Sequence, residues 1–586
     1  MRSYPQKFRR KFDVIQVLQL RDALKGYRYD QDKLLTPEET IRRVRERLGA
    51  LDLKLLQDTR RIDDGRLGIP VYLSLLGVDA RRVVPTHKQM GKGATPVQAE
   101  ASALMELVER FSFFTYLDDG PLDFGCPRDL GGQALAFSML SRSLFDDSIA
   151  AAAAARFYED WPLYFVPATN LTRGEAVYLP IHWFYLIEEY NGPAAGNCLE
   201  EAVLQGLGEV VERHVGSIIS YEHRPTPAID PDSVTDPVAR ELLEKFKNNG
   251  IILHLRDFSL DTGIPTVAAL AYDPSTFPAD SEIVFAAGTT TDPTKSLIRA
   301  LTEVAQLAGD FHRRTSYRPT LPKYETLEEA AYLMAPGPVV PLDSLPNLSR
   351  PNLKDEIRLC LEALSRLGLE VLVVNITHPA LNLPAVYVLI PGTHFLDRTR
   401  NTNVIFHLAK TAALYAPPLE ALAALTGLNS ALPARFDVNF FLGLALENQD
   451  RAGEALEHFR RALALDPPAV ELPSIYVHLG ACQKDLGAFQ EAAESLTRAL
   501  ELDPNLKEAH HFLGFCCFKL EDYQQAVACF EKVIELDPGS AIDYANLGIN
   551  LQRLGHRKEA AFVLRQALEL DPTLDFADRA LAALAD

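Results

Sequence analysis

Apolar residues recur along the chain at two different spacings, which divide it into two parts. From about residue 435, apolar positions recur three and four residues apart in segments that end in TRALELDP, EKVIELDP and RQALELDP. Before that point, similar helical patterns alternate with short apolar runs of the length of a buried strand. The pattern predicts a domain of mixed helices and strands followed by an all-α segment.

The C-terminal segment repeats with a fixed period. Pro504, Pro538 and Pro572 lie 34 residues apart. Repeated Leu-Gly pairs begin at residues 479, 513 and 547. Small residues allow close helix packing and a proline ends each unit, as is typical of stacked pairs of antiparallel helices. The segment resembles tetratricopeptide repeats over residues 435–586. We expect its concave face to bind a separate partner protein; the alternative is a purely structural appendage.

Three short apolar runs in the first part each follow a proline. They are GIPVYLSLLG from Gly68, GIPTVAALAY from Gly263 and NLPAVYVLIP from Asn382. Because proline cannot donate to a sheet ladder, it fits at the start of a strand. The three runs therefore predict three similar strands in an α/β domain with internal repetition.

Three helical fragments also repeat: ALMELVERF from Ala103, GLGEVVERH from Gly206 and ALTEVAQLA from Ala300. Each follows a loop that contains glycine and ends in a residue able to cap a helix. We predict the caps to be Thr95, Asn197 and Asp292. Proline follows directly after Thr95 and Asp292, where it fits the first helical position.

Acidic and polar residues share one face of each predicted helix, because positions three and four apart are neighbours. These residues are Glu106 and Glu109 in the first helix; Glu201, Gln205, Glu209 and Glu212 in the second; and Arg299, Glu303 and Gln306 in the third. A single Glu-x-x-Glu usually faces solvent, but three in matched positions indicate helices that converge. Crowded carboxylates raise each other's pKa unless cations intervene. Mg²⁺ fits, since it binds one or two carboxylates together with phosphate oxygens.

A magnesium cluster implies an anionic ligand. Helix N-termini after glycine offer free N–H groups to phosphate, and Arg213 and Arg299 can form bidentate phosphate contacts. The segment GKGATP, from Gly91, lacks the spacing of a P-loop and follows no clear strand. The sequence therefore predicts a nucleotide site of another kind.

Four segments together resemble the YcaO family, in order and across roughly residues 25–415: GKGATPVQAEASALMELVERFS, AGNCLEEAVLQGLGEVVERH, GTTTDPTKSLIRALTEVAQ and ITHPALNLPAVYVLIPG. The resemblance implies an ATP-binding α/β fold with mixed sheets, unrelated to P-loop proteins. It also implies phosphorylation of a backbone amide oxygen of a peptide or protein substrate. That activation gives azolines, or thioamides when sulfide attacks.

The layout of a YcaO domain followed by helical repeats resembles stand-alone bacterial members implicated in methylthiolation of a ribosomal protein. The alternative function is a non-catalytic nucleotide-binding adaptor that acts through its repeats. Dimers are usual in the family, which makes a homodimer an expectation here.

The resemblance implies which residues bind the cofactors, ATP and Mg²⁺. It implies magnesium ligands at Glu106, Glu109, Glu201, Glu209, Glu212 and Glu303, and ATP contacts at Lys33, Thr40, Asn197, Arg213 and Arg299. The alternatives are a helix cap for Asn197, structural ion pairs for Arg213 and Arg299, and a solvated side chain for Lys33. No catalytic residue is predicted.

The domain boundaries follow from these patterns. We predict an N-terminal extension over 1–24, the YcaO domain over 25–418, a linker over 419–434 and the repeats over 435–586.

Composition and charge exclude some classes of function. The formal net charge of −20 argues against a general nucleic-acid binder. Neither a secretion signal nor a span of 18 apolar residues is evident, so we expect a cytoplasmic protein without a membrane segment. Seven cysteines without a C-x-x-C pair predict free thiols.

Cys198 and His214 lie several turns apart on one predicted helix, too far to form a nucleophile and base.

Overall fold

The computed structural model describes residues 16–86, 88–146, 148–312, 321–395 and 403–584. Residues 1–15 of the predicted N-terminal extension lie outside this described part. The chain divides into two compact units, Met1–Val404 and Ile405–Asp586. Within the described residues, no helix is long and apolar enough to cross a lipid bilayer.

The first unit contains helices and strands in alternation. Its helices are α1 (Pro37–Gly49), α2 (Pro96–Asp119), α3 (Phe137–Arg142), α4 (Ile149–Tyr158), α5 (Ile181–Glu188), α6 (Leu199–Glu222), α7 (Pro237–Asn248), α8 (Pro293–Ala308), α9 (Ala331–Met334) and α10 (Leu353–Arg366). Its strands are β1 (Leu56–Arg61), β2 (Val71–Leu76), β3 (Lys88–Lys92), β4 (Asp123–Gly125), β5 (Leu163–Asn170), β6 (Glu175–Pro180), β7 (Pro193–Ala195), β8 (Ala228–Asp230), β9 (Ile252–Asp257), β10 (Thr266–Tyr272), β11 (Val284–Thr289), β12 (Val339–Pro341), β13 (Leu372–Asn375) and β14 (Ala385–Leu389).

The strands form three sheets. They are a three-stranded sheet in the order β1-β2-β3, a five-stranded sheet in the order β11-β10-β9-β8-β12, and a six-stranded sheet in the order β4-β5-β13-β14-β7 with β6 paired to β5. The β8–β12 pair is parallel, whereas the other strand pairs are antiparallel. The predicted α/β fold with mixed sheets is confirmed.

The three proline-led runs form β2, β10 and β14, as predicted. Pro70, Pro265 and Pro384 each stand directly before the first strand residue, where the missing N–H costs no ladder hydrogen bond. Each of these strands lies between two neighbours in a different sheet. The internal repetition seen in the sequence is therefore spread over all three sheets.

The three glutamate helices share one local arrangement. A strand leads into each helix through a loop of three residues: β3 into α2, β7 into α6 and β11 into α8. The expectation that GKGATP follows no strand was wrong, since its first two residues, Gly91 and Lys92, are the last two of β3. The strand contains two lysines, a glutamine and a glycine, and so lacks the apolar run used to find strands.

Glycine allows two of these strands to lie directly against their helices. A Cβ at Gly91 of β3 would lie 2.1 Å from the backbone nitrogen of Ala103. A Cβ at Gly288 of β11 would lie 2.3 Å from the carbonyl oxygen of Ser296. No side chain fits in that space, so strand and helix are held at close range at both contacts.

A large apolar core supports the five-stranded sheet. It joins α7, α8 and the sheet through buried side chains that include Leu242, Phe246, Val267, Leu301 and Val304. This core fixes the position of α8, the helix whose polar face contains Arg299, Glu303 and Gln306.

The second unit is all helical. Its helices are α11 (Val404–Tyr415), α12 (Pro418–Ala431), α13 (Phe436–Glu447), α14 (Ala452–Ala464), α15 (Leu472–Asp485), α16 (Phe489–Leu502), α17 (Lys507–Lys519), α18 (Tyr523–Leu536), α19 (Ala541–Arg553), α20 (Arg557–Leu570) and α21 (Asp575–Ala582). Helix α12 covers most of the predicted linker, 419–434, and belongs to this unit.

The repeated glycines explain how the helices of each repeat pair. A Cβ at Gly480 would lie 2.7 Å from Leu496, and a Cβ at Gly514 would lie 2.8 Å from Phe530. Each glycine thus accommodates a large side chain of the following helix. The predicted tetratricopeptide-type solenoid is confirmed.

Candidate nucleotide and metal site

Helix α2 begins as the sequence predicts. The Thr95 side chain accepts a hydrogen bond from the Gln98 backbone N–H at 3.2 Å, and Pro96 is the first helical residue. This start orients Glu106 and Glu109 to the same side of the helix, next to Arg110. The ion pair between Glu109 and Arg110 measures 3.4 Å.

Helix α6 begins one residue later than predicted. Its cap is Cys198, whose sulfur accepts from the Glu201 N–H at 3.4 Å, so the prediction that Asn197 caps this helix was wrong. Asn197 instead donates to the Glu201 carboxylate through its backbone N–H at 3.2 Å. Its amide nitrogen also donates to Thr40 Oγ1 at 3.0 Å.

Helix α8 begins at the predicted cap. The Asp292 carboxylate accepts from the N–H groups of Thr294 and Lys295, and Pro293 is the first helical residue. Arg299 and Glu303 follow one turn apart on the face that meets α6. Arg299 Nη1 donates to Gln205 Oε1 of α6 at 3.1 Å, which ties the two polar faces together.

Five of the six predicted metal-binding glutamates converge. Glu212 is fully enclosed; it lies 3.3 Å from Arg213 and 3.7 Å from Arg299, and accepts from the Thr289 N–H at 3.0 Å. Electrostatic interactions connect Glu106 of α2 with Glu209 of α6 and Glu303 of α8. Carboxylates from three helices therefore lie in one cluster.

Burial governs the ionisation of this cluster. It raises the pKa of Glu109 to about 8 and that of Glu212 to about 7, although the nearby arginines act to lower both values. Burial also raises the pKa of Glu106. At Glu303 burial is outweighed by Lys92, Arg213 and Arg299, which lower its pKa. Glu106, Glu109 and Glu212 thus have too little positive charge around them to offset their burial.

Buried polar atoms without hydrogen-bond partners are consistent with this shortage of positive charge. Three buried atoms of the cluster make no hydrogen bond to any described residue: Glu212 Oε1, Arg213 Nη1 and Arg299 Nε. A buried acceptor and two buried donors left open in one place are costly. A cation beside the carboxylate and an anion beside the guanidinium groups would satisfy all three, so the residues fit Mg²⁺ and a phosphate chain.

The sixth glutamate, Glu201, lies apart from the other five at the start of α6. Its carboxylate accepts from the Leu34 N–H at 3.0 Å and lies 3.6 Å from Lys33 Nζ. A pocket opens beside it. Predicted residues in its lining are Lys33, Glu201 and Arg299, with apolar Leu204, Leu207, Ile264 and Leu353 around them. Arg299 belongs to both pocket and cluster, which therefore adjoin.

The carboxylates of the cluster are arranged around cations of the protein. Across the described part of the chain, no three His, Cys, Asp or Glu side chains form a ready-made metal cage.

Two cations of the cluster were missed in the sequence. Lys92 of β3 contacts the Glu303 carboxylate. Arg110 of α2 pairs with Glu109 and donates to the Tyr190 carbonyl at 2.8 Å. In the sequence alone, nothing distinguishes the lysine of GKG or the arginine after Glu-x-x-Glu from an ordinary solvent-exposed side chain. The matched acidic stripe was a usable signal, because an enclosed acidic face requires neighbouring cations.

Cys198 and His214 have separate surroundings, as their spacing predicts. Burial raises the pKa of the Cys198 thiol to about 12, and the His214 ring accepts from the His394 backbone N–H at 2.9 Å. Neither is arranged as a nucleophile with its base.

Fold and site together define a class of protein: an α/β unit with an enclosed cluster of carboxylates and cations beside a pocket, joined to a helical solenoid. The family model described as YcaO cyclodehydratase, ATP- and Mg²⁺-binding, matches residues 90–394. The chain belongs to the YcaO family, whose cofactors are ATP and Mg²⁺. Tetratricopeptide-repeat models match residues 436–469, 485–548 and 544–574.

Individual relatives agree with this assignment. An uncharacterized protein of Methanothermobacter thermautotrophicus is 29% identical over 382 residues, covering 61% of this chain and 93% of its own. The ribosomal protein S12 methylthiotransferase accessory factor YcaO of Escherichia coli is 28% identical over 247 residues, which are 37% of this chain and 40% of that factor. A solved heterocyclase in complex with substrate and cofactor superposes with a TM-score of 0.52 at 24% identity, over 65% of this chain and 55% of the heterocyclase.

Proposed function

We propose that this protein uses ATP and Mg²⁺ to activate a backbone amide of a peptide or protein, and that its repeats recruit the substrate or a partner. The observation that carries the proposal is the convergence of glutamates from α2, α6 and α8 beside a pocket lined by Lys33 and Arg299. Family membership supports the choice of ATP and Mg²⁺.

Each group of residues has a role in this proposal. Glu106, Glu109, Glu209, Glu212 and Glu303 would hold Mg²⁺, and Glu201 would act from the pocket side with Lys33. Arg213 and Arg299 would bind phosphate oxygens through their open N–H groups. Bound Mg-ATP supplies the phosphoryl group that turns the amide oxygen into a leaving group.

The surrounding fold contributes positioning. An amide oxygen is a weak nucleophile, so it reacts only if it is held in line with the phosphate. Helices held against strands at Gly91 and Gly288 keep the charged side chains in fixed places. Enclosure strengthens their electrostatic effect on the reacting groups.

The final product depends on the second nucleophile. A Cys, Ser or Thr side chain would give an azoline, and sulfide would give a thioamide. The name of the E. coli relative, an accessory factor to a ribosomal methylthiotransferase, favours a protein substrate or partner for the present chain. The expected homodimer remains a prediction that light scattering can check.

The test of the proposal is Glu209→Gln. This change removes one charge from the cluster and keeps the side-chain size, so Mg²⁺-dependent ATP binding should weaken by roughly tenfold or more. ATP hydrolysis should fall with it. Isothermal titration of ATP with and without Mg²⁺ measures the first effect, and phosphate release measures the second.

Glu222→Gln is the matched control, because Glu222 is exposed at the end of the same helix. It should leave ATP binding unchanged. Equal ATP binding and turnover in both variants would disprove the proposed site. Normal binding without turnover in the wild-type protein would instead favour a non-catalytic adaptor.

A further inference from the structure

The glutamate side chains of the site are paired with cations that the protein itself supplies. Glu109 lies 3.4 Å from Arg110, Glu212 lies 3.3 Å from Arg213, and Glu201 lies 3.6 Å from Lys33. Each of those glutamates keeps a cation that is adjacent in sequence or near the pocket. Glu303 pairs with a cation that belongs to a strand.

That cation is Lys92, the last residue of β3. Its ammonium contacts Glu303 Oε2, and the two side chains are only 14% and 15% exposed. Lys92 also interacts electrostatically with Arg299 and Glu212, and with Glu106. It therefore lies among the carboxylates of all three helices, beside a guanidinium predicted to bind phosphate.

An ammonium in this position competes with a metal ion. A carboxylate oxygen that accepts a charged hydrogen bond is not free to coordinate Mg²⁺, and a positive charge nearby repels a second one. Metal entry would leave Lys92 enclosed without its carboxylate, which is costly. Phosphate oxygens of a nucleotide are the natural replacement partner for an ammonium ion.

We propose that Lys92 is an internal counter-ion that occupies Glu303 in the metal-free protein and gives up this carboxylate only when metal and nucleotide arrive together. The proposal rests on the proposed function, because it takes Glu303 as a metal ligand. Lys92 is thus a positioning residue: it keeps Glu303 paired until a metal ion binds, and it makes metal binding depend on nucleotide.

The test is a Mn²⁺ titration of the full-length protein followed by electron paramagnetic resonance, without nucleotide and at about pH 8, where carboxylates ionise more readily. Lys92→Met removes the competing charge and keeps the side-chain length. Mn²⁺ should then bind roughly tenfold more tightly than in the wild type, the equivalent of one charged hydrogen bond. Lys92→Arg retains the charge and should stay near the wild-type affinity.

The matched control is Lys323→Met. Lys323 forms another partly enclosed pair, 2.9 Å from Glu282, so the same charge is lost from the same unit. Mn²⁺ affinity should not change. Repeating the titrations with a non-hydrolysable ATP analogue should show that the analogue improves Mn²⁺ binding less in Lys92→Met than in the wild type.

If the ion pair between Lys92 and Glu303 is purely structural, Lys92→Met should not strengthen Mn²⁺ binding. If Lys92→Met is folded by circular dichroism and binds Mn²⁺ as weakly as the wild type or more weakly, the counter-ion role is wrong. If Lys92→Met does not fold, Lys92→Gln, which keeps a hydrogen-bond donor to Glu303, decides by the same criterion. Absence of Mn²⁺ binding to wild-type protein even with the analogue would overturn the proposed function itself.

Discussion

Glu212 shows at the scale of one residue how the site depends on its surroundings. Its side chain is fully enclosed between Arg213, Arg299 and the Thr289 N–H. One oxygen still lacks a hydrogen-bond donor among the described residues. A residue so enclosed can remain charged only if further positive charge is near, which makes its ionisation sensitive to bound metal.

This sensitivity predicts a pH dependence of metal binding. Burial raises the pKa of Glu109 to about 8 and of Glu212 to about 7, so both carboxyl groups hold protons at lower pH and lose them as pH rises. Mg²⁺ must displace those protons. Mg²⁺-dependent ATP binding should weaken from about pH 8 to about pH 6, with protons released on binding. Titration calorimetry in two buffers of different ionisation enthalpy counts those protons, and Glu109→Gln should release fewer.

Single residues also show what the sequence can and cannot predict. Thr95 and Asp292 were predictable caps because each is a good acceptor followed by proline. Cys198 was not, since a thiol seldom caps a helix and Asn197 stands beside it. Lys92 and Arg110 were missed because a lysine or arginine has no sequence pattern that distinguishes an enclosed partner from a solvated one.

At the scale of elements, the site depends on the three strand-to-helix connections. A loop of three residues separates each glutamate helix from the strand before it, which fixes where its acidic face points. The types of these helices and of β2, β10 and β14 followed from periodicity and proline positions. The order of strands in the sheets did not, because pairing of β5 with β13 joins segments about 200 residues apart without a local signal.

The close approach of β3 to α2 gives a prediction for Gly91→Ala. The added Cβ would lie 2.1 Å from the Ala103 nitrogen and 2.2 Å from the Ala99 oxygen, so strand and helix must separate. We expect a loss of about 1–3 kcal/mol in unfolding free energy and weaker Mg-ATP binding. Chemical denaturation and calorimetry measure the two effects.

Gly49→Ala is the control for that substitution, because nothing lies within 4 Å of a Cβ at Gly49. It should leave both quantities nearly unchanged. An equally small effect of Gly91→Ala would show that the contact between β3 and α2 does not position the site.

At the scale of the whole molecule, the proposed nucleotide site and the repeats lie in different units. The acidic cluster and its pocket lie within Met1–Val404, whereas the repeats lie within Ile405–Asp586. The two-unit organisation was predictable because the 34-residue period is visible in the sequence. The division into compact units lies after Val404, and the boundaries predicted at 418 and 434 stay predictions.

Separate units predict separable functions. Removal of residues 435–586 should leave Mg²⁺-dependent ATP binding within a few-fold of wild type, while modification of a peptide or protein substrate falls sharply. Calorimetry and mass spectrometry of the substrate measure these effects. Loss of ATP binding from a folded truncated protein would show that the repeats help to form the nucleotide site.

The spacing of the glutamate helices has a consequence for biosynthesis. Helices α2, α6 and α8 are complete only after residues 119, 222 and 308 have been made. A nascent chain shorter than that contains no complete site, whatever local structure it has formed. ATP and Mg²⁺ bound at the proposed site would therefore stabilise only the finished unit. In the cell, nucleotide would act as a late folding ligand that draws newly made chains toward the native state.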